Sequence, residues 1–194
     1  MGGLEEALEL VENAVRLDPK EVSVWEAKAE IERREYQYEP AFEAYKRVIE
    51  LSPYHLSALR EVTHLAKTLE LWSTAIEYAR RVTQLPGATK KDWHILGHMY
   101  YRRAQIEQQR GDHRKAEEAF LMAIDSFKTA LINNSLTSMD KKHNATVCDT
   151  LARAYTRVRM FDEARDTVIN GLVEDPYNSM LLDLQMQLFD RTDR

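Results

Sequence analysis

The sequence predicts an all-α protein built as a stacked array of helical units, and three observations carry that expectation. The first is a spaced pattern, in which an alanine is followed four residues on by an apolar residue, seven on by another small or apolar residue, and then by a proline. Ala7, Val11, Ala14 and Pro19 show it, as do Ala41, Tyr45, Val48 and Pro53, and Ala164, Val168, Gly171 and Pro176; Ala75, Ala79 and Val82 follow it with Pro86 one place early. The second observation is the interval. Ala7 to Ala41, Ala41 to Ala75, and Pro19 to Pro53 are each 34 residues apart, and a fixed period of this size marks stacked supersecondary units. The third is that apolar residues fall at helical spacing along the chain, while only 6 Gly and 5 Pro leave little room for β-hairpins.

Taken in order, the spacing predicts helices over 4–17, 22–36, 40–52, 56–69, 72–84, 89–110, 112–133, 140–158, 161–173 and 178–190. Local chemistry ends them. Asp18-Pro19 closes the first, because the residue before proline is pushed out of the α region; Ser52-Pro53, Leu85-Pro86 and Asp175-Pro176 act in the same way. Gly111-Asp112 separates the two long central helices, with Asp112 as N-cap of the second. The polar stretch from Asn133 to Asp140, with Ser138 inside it, reads as a loop.

Composition narrows the function classes. Hydrophobic content of 44% makes a core feasible, and charged content of 30% suits exposed helix faces. The net charge of −5 argues against a general nucleic-acid or lipid-surface role. A single cysteine, Cys148, excludes an internal disulfide and fits a reducing, cytoplasmic compartment. No apolar stretch is long enough to span a bilayer, and Met1-Gly2-Gly3 opens without the apolar run of a signal peptide.

The residues resemble the tetratricopeptide repeat family. Trp93, Leu96, Gly97 and Tyr100 match that family's first-helix signature in full, and Gly111, Asp112, Ala116, Phe120 and Ala123 match its turn and second helix. Trp25, Ala29, Ala41, Tyr45 and Pro53 match a second unit, with Lys28 and Glu32 departing from it. Cys148, Leu151, Ala152, Tyr155, Ala164 and Pro176 match another; the unit from His55 to Gly87 is the weakest, with Leu59, Val62 and Ala66 in place of the signature. The resemblance implies antiparallel helix pairs wound into a right-handed α–α superhelix. It divides the chain 1–194 into a half repeat at 4–21, repeats at 22–55, 56–89, 90–137 and 142–178, and a terminal helix at 178–190. Small residues at Ala41, Ala75, Ala116 and Ala164 let helix backbones approach, and Trp25, Tyr45, Trp93 and Phe120 fill the gaps between them. The array begins half-way through a unit, which implies either a piece of a longer protein or a partner covering the Leu4, Leu8 and Val11 face.

Departures from the period come in sevens. Ala75 to Ala116 is 41 residues and Ala116 to Ala164 is 48. From Tyr100 to Gly111 the first helix gains about two turns, and Ala116, Phe120, Ala123, Phe127 and Ala130 keep one stripe running in its partner. The spacing therefore predicts one elongated helix pair that protrudes beyond its neighbours. The remaining seven residues belong to the 133–140 loop or to an earlier start of the next helix.

In the family, first helices line a concave groove. The resemblance places Ser23, Glu26, Glu30, Arg33 and Arg34 there in the first full unit, and Ser57, Arg60, His64, Lys67 and Thr68 in the second. The long unit offers Lys91, His94, His98, Tyr101 and Arg102, and the last full unit Thr146, Asp149, Arg153, Thr156 and Arg157. The binding candidates are Arg60, His64, Lys67, Lys91, His94, His98, Tyr101, Arg102, Arg153 and Arg157. From the second unit onward this face is basic on an acidic protein, which suggests an acidic partner held by charge and oriented by hydrogen bonds. A subset of the family clamps the C-terminal carboxylate of heat-shock chaperones with Lys, Asn and Arg. Here the corresponding residues are Glu26, Glu30, Glu61, Lys91 and Ile95, and only Lys91 fits.

Catalytic chemistry has little to rest on. His94 and His98 share a helix face, but a zinc site needs a third and fourth ligand, for which His64 could approach from the preceding unit, and the HExxH carboxylate is absent between them. Cys148 occupies a packing position, and there is no Gly-rich phosphate loop. Asn133 and Asn144 head glycosylation sequons that a cytoplasmic protein would not use. The sequence thus predicts a non-catalytic scaffold module without cofactor or metal, binding a peptide or helix of another protein, with further association possible through 4–17. Its competitors are the sensor or oligomerisation arm of a multidomain signalling NTPase and a single-stranded RNA-binding repeat.

Overall fold

The computed structural model describes residues 2–132 and 138–189. Ten α-helices occupy them: α1 Gly2–Leu17, α2 Val22–Arg34, α3 Tyr38–Leu51, α4 Leu56–Thr68, α5 Trp72–Thr83, α6 Lys90–Gln109, α7 His113–Ile132, α8 Ser138–Arg157, α9 Phe161–Glu174 and α10 Ser179–Phe189. No strand occurs among the described residues. The helices form two compact units, residues 1–88 and 89–194. In the first, each helix from α1 to α5 packs on the next. In the second, α6 pairs with α7 and α8 with α9, while α7 also packs on α8, and α10 on α9 and α8.

One turn is built four times. Tyr36, Glu70, Gly111 and Arg159 each adopt a left-handed backbone, with φ of 60°, 57°, 81° and 63°. After each, the next amide closes back on the helix just ended: Gln37 N donates to the Glu32 carbonyl (2.9 Å), Leu71 N to Ala66 (2.8 Å), Asp112 N to Glu107 (3.0 Å) and Met160 N to Tyr155 (3.0 Å). This is the Schellman arrangement, which satisfies carbonyls that the helix end leaves bare. The four turns lie 34, 41 and 48 residues apart, the same intervals that separate the alanines. Only Gly111 takes the left-handed conformation without a side-chain penalty.

The extra length is distributed over three helices. α6, α7 and α8 have 20 residues each, against 12 to 14 for α2 to α5 and α9. α8 starts at Ser138, so the second surplus of seven lengthens this helix and Ser138 to Asp140 is helical where a loop was expected; the rest of that loop, 133–137, lies outside the described residues. Because α8 grew by the same two turns, the α6–α7 pair has a neighbour of its own length instead of standing beyond it. Caps support these ends. Thr89 and Asp92 form a capping box at α6, with Asp92 Oδ2 accepting from Thr89 N at 2.7 Å. Asp112 Oδ1 accepts from Lys115 N at 3.1 Å, as expected of an N-cap.

The core follows the alternation of small and large residues. Ala41, Ala75, Ala116 and Ala164 are all buried, as are Tyr45 and Phe120, whereas Trp25 and Trp93 are only half-buried. The Trp25 indole N–H instead reaches the Pro19 carbonyl at 3.0 Å, tying α2 to the turn before it. The closest approach is at Gly97, where a Cβ would lie 2.5 Å from the ring of fully buried Phe127. Gly97→Ala should therefore destabilise the second unit by about 1–3 kcal/mol, read as a lower denaturant midpoint with unchanged m-value. Glu70→Gly should act in the opposite sense, raising stability by up to about 1 kcal/mol through relief of left-handed strain; a lowered melting temperature would contradict the turn assignment.

Candidate partner-binding surface

The sequence-selected residues fall in both units, Arg60, His64 and Lys67 in the first and Lys91, His94, His98, Tyr101, Arg102, Arg153 and Arg157 in the second. On α4, His64 and Lys67 are exposed, but the Arg60 guanidinium donates to the Gly87 carbonyl at 3.1 Å and so also fastens the turn that ends the first unit. On α6, Lys91 and Arg102 are exposed, and Arg102 Nη1 donates to Gln105 Oε1 at 3.2 Å. His94 departs from expectation: it is 9% exposed and faces the interior. Its ring lies 5.7 Å from Phe127 of α7, and His98 lies 5.6 Å from the same ring, edge to face. Tyr101 stacks edge to face on Phe120 at 5.3 Å. The His94, His98 and Tyr101 face is thus turned toward α7. The cause is the elongation. Phe127 stands eleven residues after Ala116, where the other repeats have Ser52, Pro86 and Asp175, at or beyond the end of their second helices. Only α7 continues far enough to place an aromatic ring there.

His143 of α8 completes a cluster of three imidazoles, 4.9 Å from His94, which in turn is 4.6 Å from His98. His94 Nε2 and His143 Nε2 are buried without a hydrogen-bond partner. Burial first, then the neighbouring imidazoles, push His94 down to about 3, and burial with Lys90 and Lys91 lowers His143. Lys90 is ion-paired with Asp140 on the same side. Among the described residues no group of three or more His, Cys, Asp or Glu side chains is arranged to hold a metal ion. The three rings pack against one another, and His94 and His98 also against Phe127. Cys148 is buried too, its thiol pushed up to about 11 by desolvation, which removes it as a nucleophile. Asn144 is 4% exposed, so its sequon is closed to a glycan in the folded state.

Several charges of the first unit are paired within it. Arg33 and Arg34 both bind Glu30, at 2.8 and 2.7 Å, Arg33 also approaches Glu61 at 3.8 Å, and His55 lies 3.1 Å from Glu26. A cleft of about 380 Å³ between α2 and α3 holds Glu32, Glu43 and Glu50, each beside a cation: Lys28, Lys46 and Arg47.

The second unit differs. A cleft of about 450 Å³ lies between α6, α8 and α10, and it brings together Tyr101, Arg153 and Arg157. Arg153 is held by buried Asp149, its Nε donating to both carboxylate oxygens at 3.0 Å, and this pairing keeps the guanidinium charged. Arg159, Phe161, Leu184 and Gln108 also line the cleft, and sequence reasoning passed over all four. Gln108 was legible in principle, since it sits within the two added turns of α6. Arg159 stands in the left-handed turn, and Leu184 comes from the terminal helix; no motif marks either.

Comparison with known proteins agrees with this architecture. The tetratricopeptide repeat model matches residues 97–129. No curated protein sequence matches the chain. Solved structures do: YrrB, described as a tetratricopeptide repeat protein with an unusual peptide-binding site, is similar at a TM-score of 0.70 and 13% identity, over 96% of this chain and 86% of its own. MamA is similar at 0.62 and 18% identity over 90% of each chain, and residues 41 to the end of MamA from Desulfovibrio magneticus RS-1 at 0.58 and 17%, over 92% and 89%. The chain is an all-α tetratricopeptide repeat protein in fold.

The histidine cluster sets a pH dependence. His94 binds a proton near its ordinary value of 6.5 when unfolded but only near 3 when folded. Below pH 6.5 the unfolded state therefore binds more protons, and stability falls with pH through the window from 6.5 toward 3. His98, His143, Lys90 and Lys91 add positive charge around the site and Asp140 opposes them. Lowering pH from 7.5 to 5 should cost the second unit about 2 kcal/mol, measured by urea unfolding. His94→Leu should remove most of that slope; an equally steep slope in this variant would refute the assignment.

Proposed function

We propose that this chain is a non-catalytic protein–protein interaction module that binds a peptide or helix of acidic character on its first helices. The observation that carries the reading is the uneven distribution of charge. The chain is net −5, yet His64, Lys67, Lys91, Arg102 and Arg157 are exposed on α4, α6 and α8. Exposed cations such as Lys67 in the first unit and Lys91, Arg102 and Arg157 in the second favour an acidic partner and disfavour basic ones. The fold supports the same reading, since arrays of helix pairs present extended surfaces and contain few enclosed pockets, and YrrB is described as having a peptide-binding site. The unbroken register from Ala7 through Ala164 supports reading 4–190 as one array of repeats. No helix among the described residues is long and apolar enough to cross a membrane. Exposed Leu10 and Leu17 favour further association through α1.

Selection of peptides from a random display library tests this. Selected sequences should be enriched in Asp and Glu, bind more weakly as salt rises, and lose binding to Lys67→Glu, Lys91→Glu and Arg157→Glu combined. Arg60 is left intact because its bond to Gly87 is structural. A selection with no acidic bias would overturn the reading.

A further inference from the structure

The cleft between α6, α8 and α10 is lined by three arginines, Arg153, Arg157 and Arg159, and no lining residue is acidic. Arg153 has a fixed orientation because Asp149, itself 5% exposed, grips it from behind. A guanidinium anchored in this way loses little entropy when a second anion docks on its remaining N–H groups. Among the described residues Arg157 and Arg159 have no carboxylate partner, whereas Arg33, Arg34, Arg47, Arg110, Arg114 and Arg165 each pair with a nearby acid. Apolar surface from Tyr101, Phe161 and Leu184 adjoins the three cations.

The added turns of α6 help to make this cleft. Gln108 lies within the segment that an unexpanded repeat lacks, and the extension is anchored by Ala104 of α6 packing with Ala119 and Phe120, against which Val158 of the turn after α8 rests. Arg159 enters the wall because the turn after α8 is left-handed at that residue. A position where glycine would be unstrained instead carries a long cationic side chain; such local strain persists only where surrounding structure holds it, and here the Met160 and Arg159 amides bond back to α8.

Resting on the proposed acidic-partner reading, we infer that this cleft is the receptor for one oxyanionic side chain of the partner peptide, a phosphoryl or carboxylate group, with an adjoining apolar residue. The oxyanion sits among Arg153, Arg157 and Arg159, and the neighbouring apolar side chain lies against Phe161 and Leu184. The remaining cations of α4 and α6 contribute long-range attraction and no fixed contact.

Three fluorescein-labelled peptides test this by anisotropy: a Gly-Ser peptide with a central Leu-phosphoserine-Leu, and its counterparts with Glu and with Gln at the centre. The phosphoserine or the Glu peptide should bind at least about tenfold more tightly than the Gln peptide, and which of them does so identifies the source of the anion. Arg157→Gln and Arg159→Gln should each weaken that binding about tenfold, and replacing both flanking leucines by glycine should weaken it further. Arg153 is unsuited as the principal variant, because its loss strands buried Asp149. If the anionic peptides bind but are insensitive to Arg157→Gln and Arg159→Gln while Lys67→Glu and Lys91→Glu abolish binding, the cleft assignment is wrong and the acidic-partner reading stands. If the Gln peptide binds as well as the others, the oxyanion assignment fails. If none binds while library selection succeeds with acidic peptides, the cleft assignment fails alone; failure of both overturns both.

Discussion

Close contact between helices requires a small residue on one to face a large one on the other, and most of this structure follows from meeting that requirement along the chain. Without it, two helix backbones stay far enough apart to leave voids, and unfilled space in a core costs stability quickly. Gly97 against Phe127 is the tightest instance, and Gly171 is another, where a Cβ would fall 2.7 Å from both the Cys148 Cβ and a Leu181 methyl. The same constraint explains why Cys148 is chemically silent. It is a small apolar filler under Gly171, and its burial keeps it protonated.

A packing rule of this kind tolerates insertions only in whole turns. Seven residues make about two turns, so the small and large residues return to the same face after an insertion of that size. α6, α7 and α8 each took one such insertion, and all reach 20 residues, or about 30 Å. Matching lengths keep both ends of the three helices covered by one another. The consequences at the two ends differ. At the N-terminal end of α6 the extension of α7 supplied Phe127, and His94 was buried beneath it. At the C-terminal end of α6 the added turns became a wall of the arginine cleft. One length change therefore removed a residue from the surface and built a new concavity elsewhere.

This also accounts for what could be read from the residues alone. The period, the helix order, the small packing positions and the Asp112 cap rest on local spacing, and all of these appear in the fold, whereas of the large packing positions Tyr45 and Phe120 are buried and Trp25 and Trp93 only half-buried. The lengthening of α6 and α7 was legible because the stripe from Ala116 to Ala130 continues without a break. The exposure of His94 was not, because assigning it to a groove assumes the standard repeat, and in the standard repeat nothing occupies the place of Phe127. Tyr101, Arg153 and Arg157 were found as groove positions, but their convergence with Arg159, Phe161 and Leu184 depends on how α6, α8 and α10 meet. No spacing rule within one helix encodes such a meeting of three.

The distribution of charge is the last point at which local and long-range effects separate. Most ion pairs among the described residues join residues three or four apart, such as Lys46 with Glu43, Arg47 with Glu50 and Arg165 with Asp162. Pairs of this type are worth a few tenths of a kcal/mol each and cancel the field beyond their immediate surroundings. An arginine at a helix end or in a turn has fewer neighbours at that spacing. Arg157 is the last residue of α8 and Arg159 stands in the turn that follows, so the acids that would neutralise them on a helix face are missing. Arg153, one turn earlier, does have its acid at four residues' distance, in Asp149. Two of the three arginines of the cleft thus owe their lack of an acid partner to where the helix stops, and the Schellman turn that stops it carries Arg159.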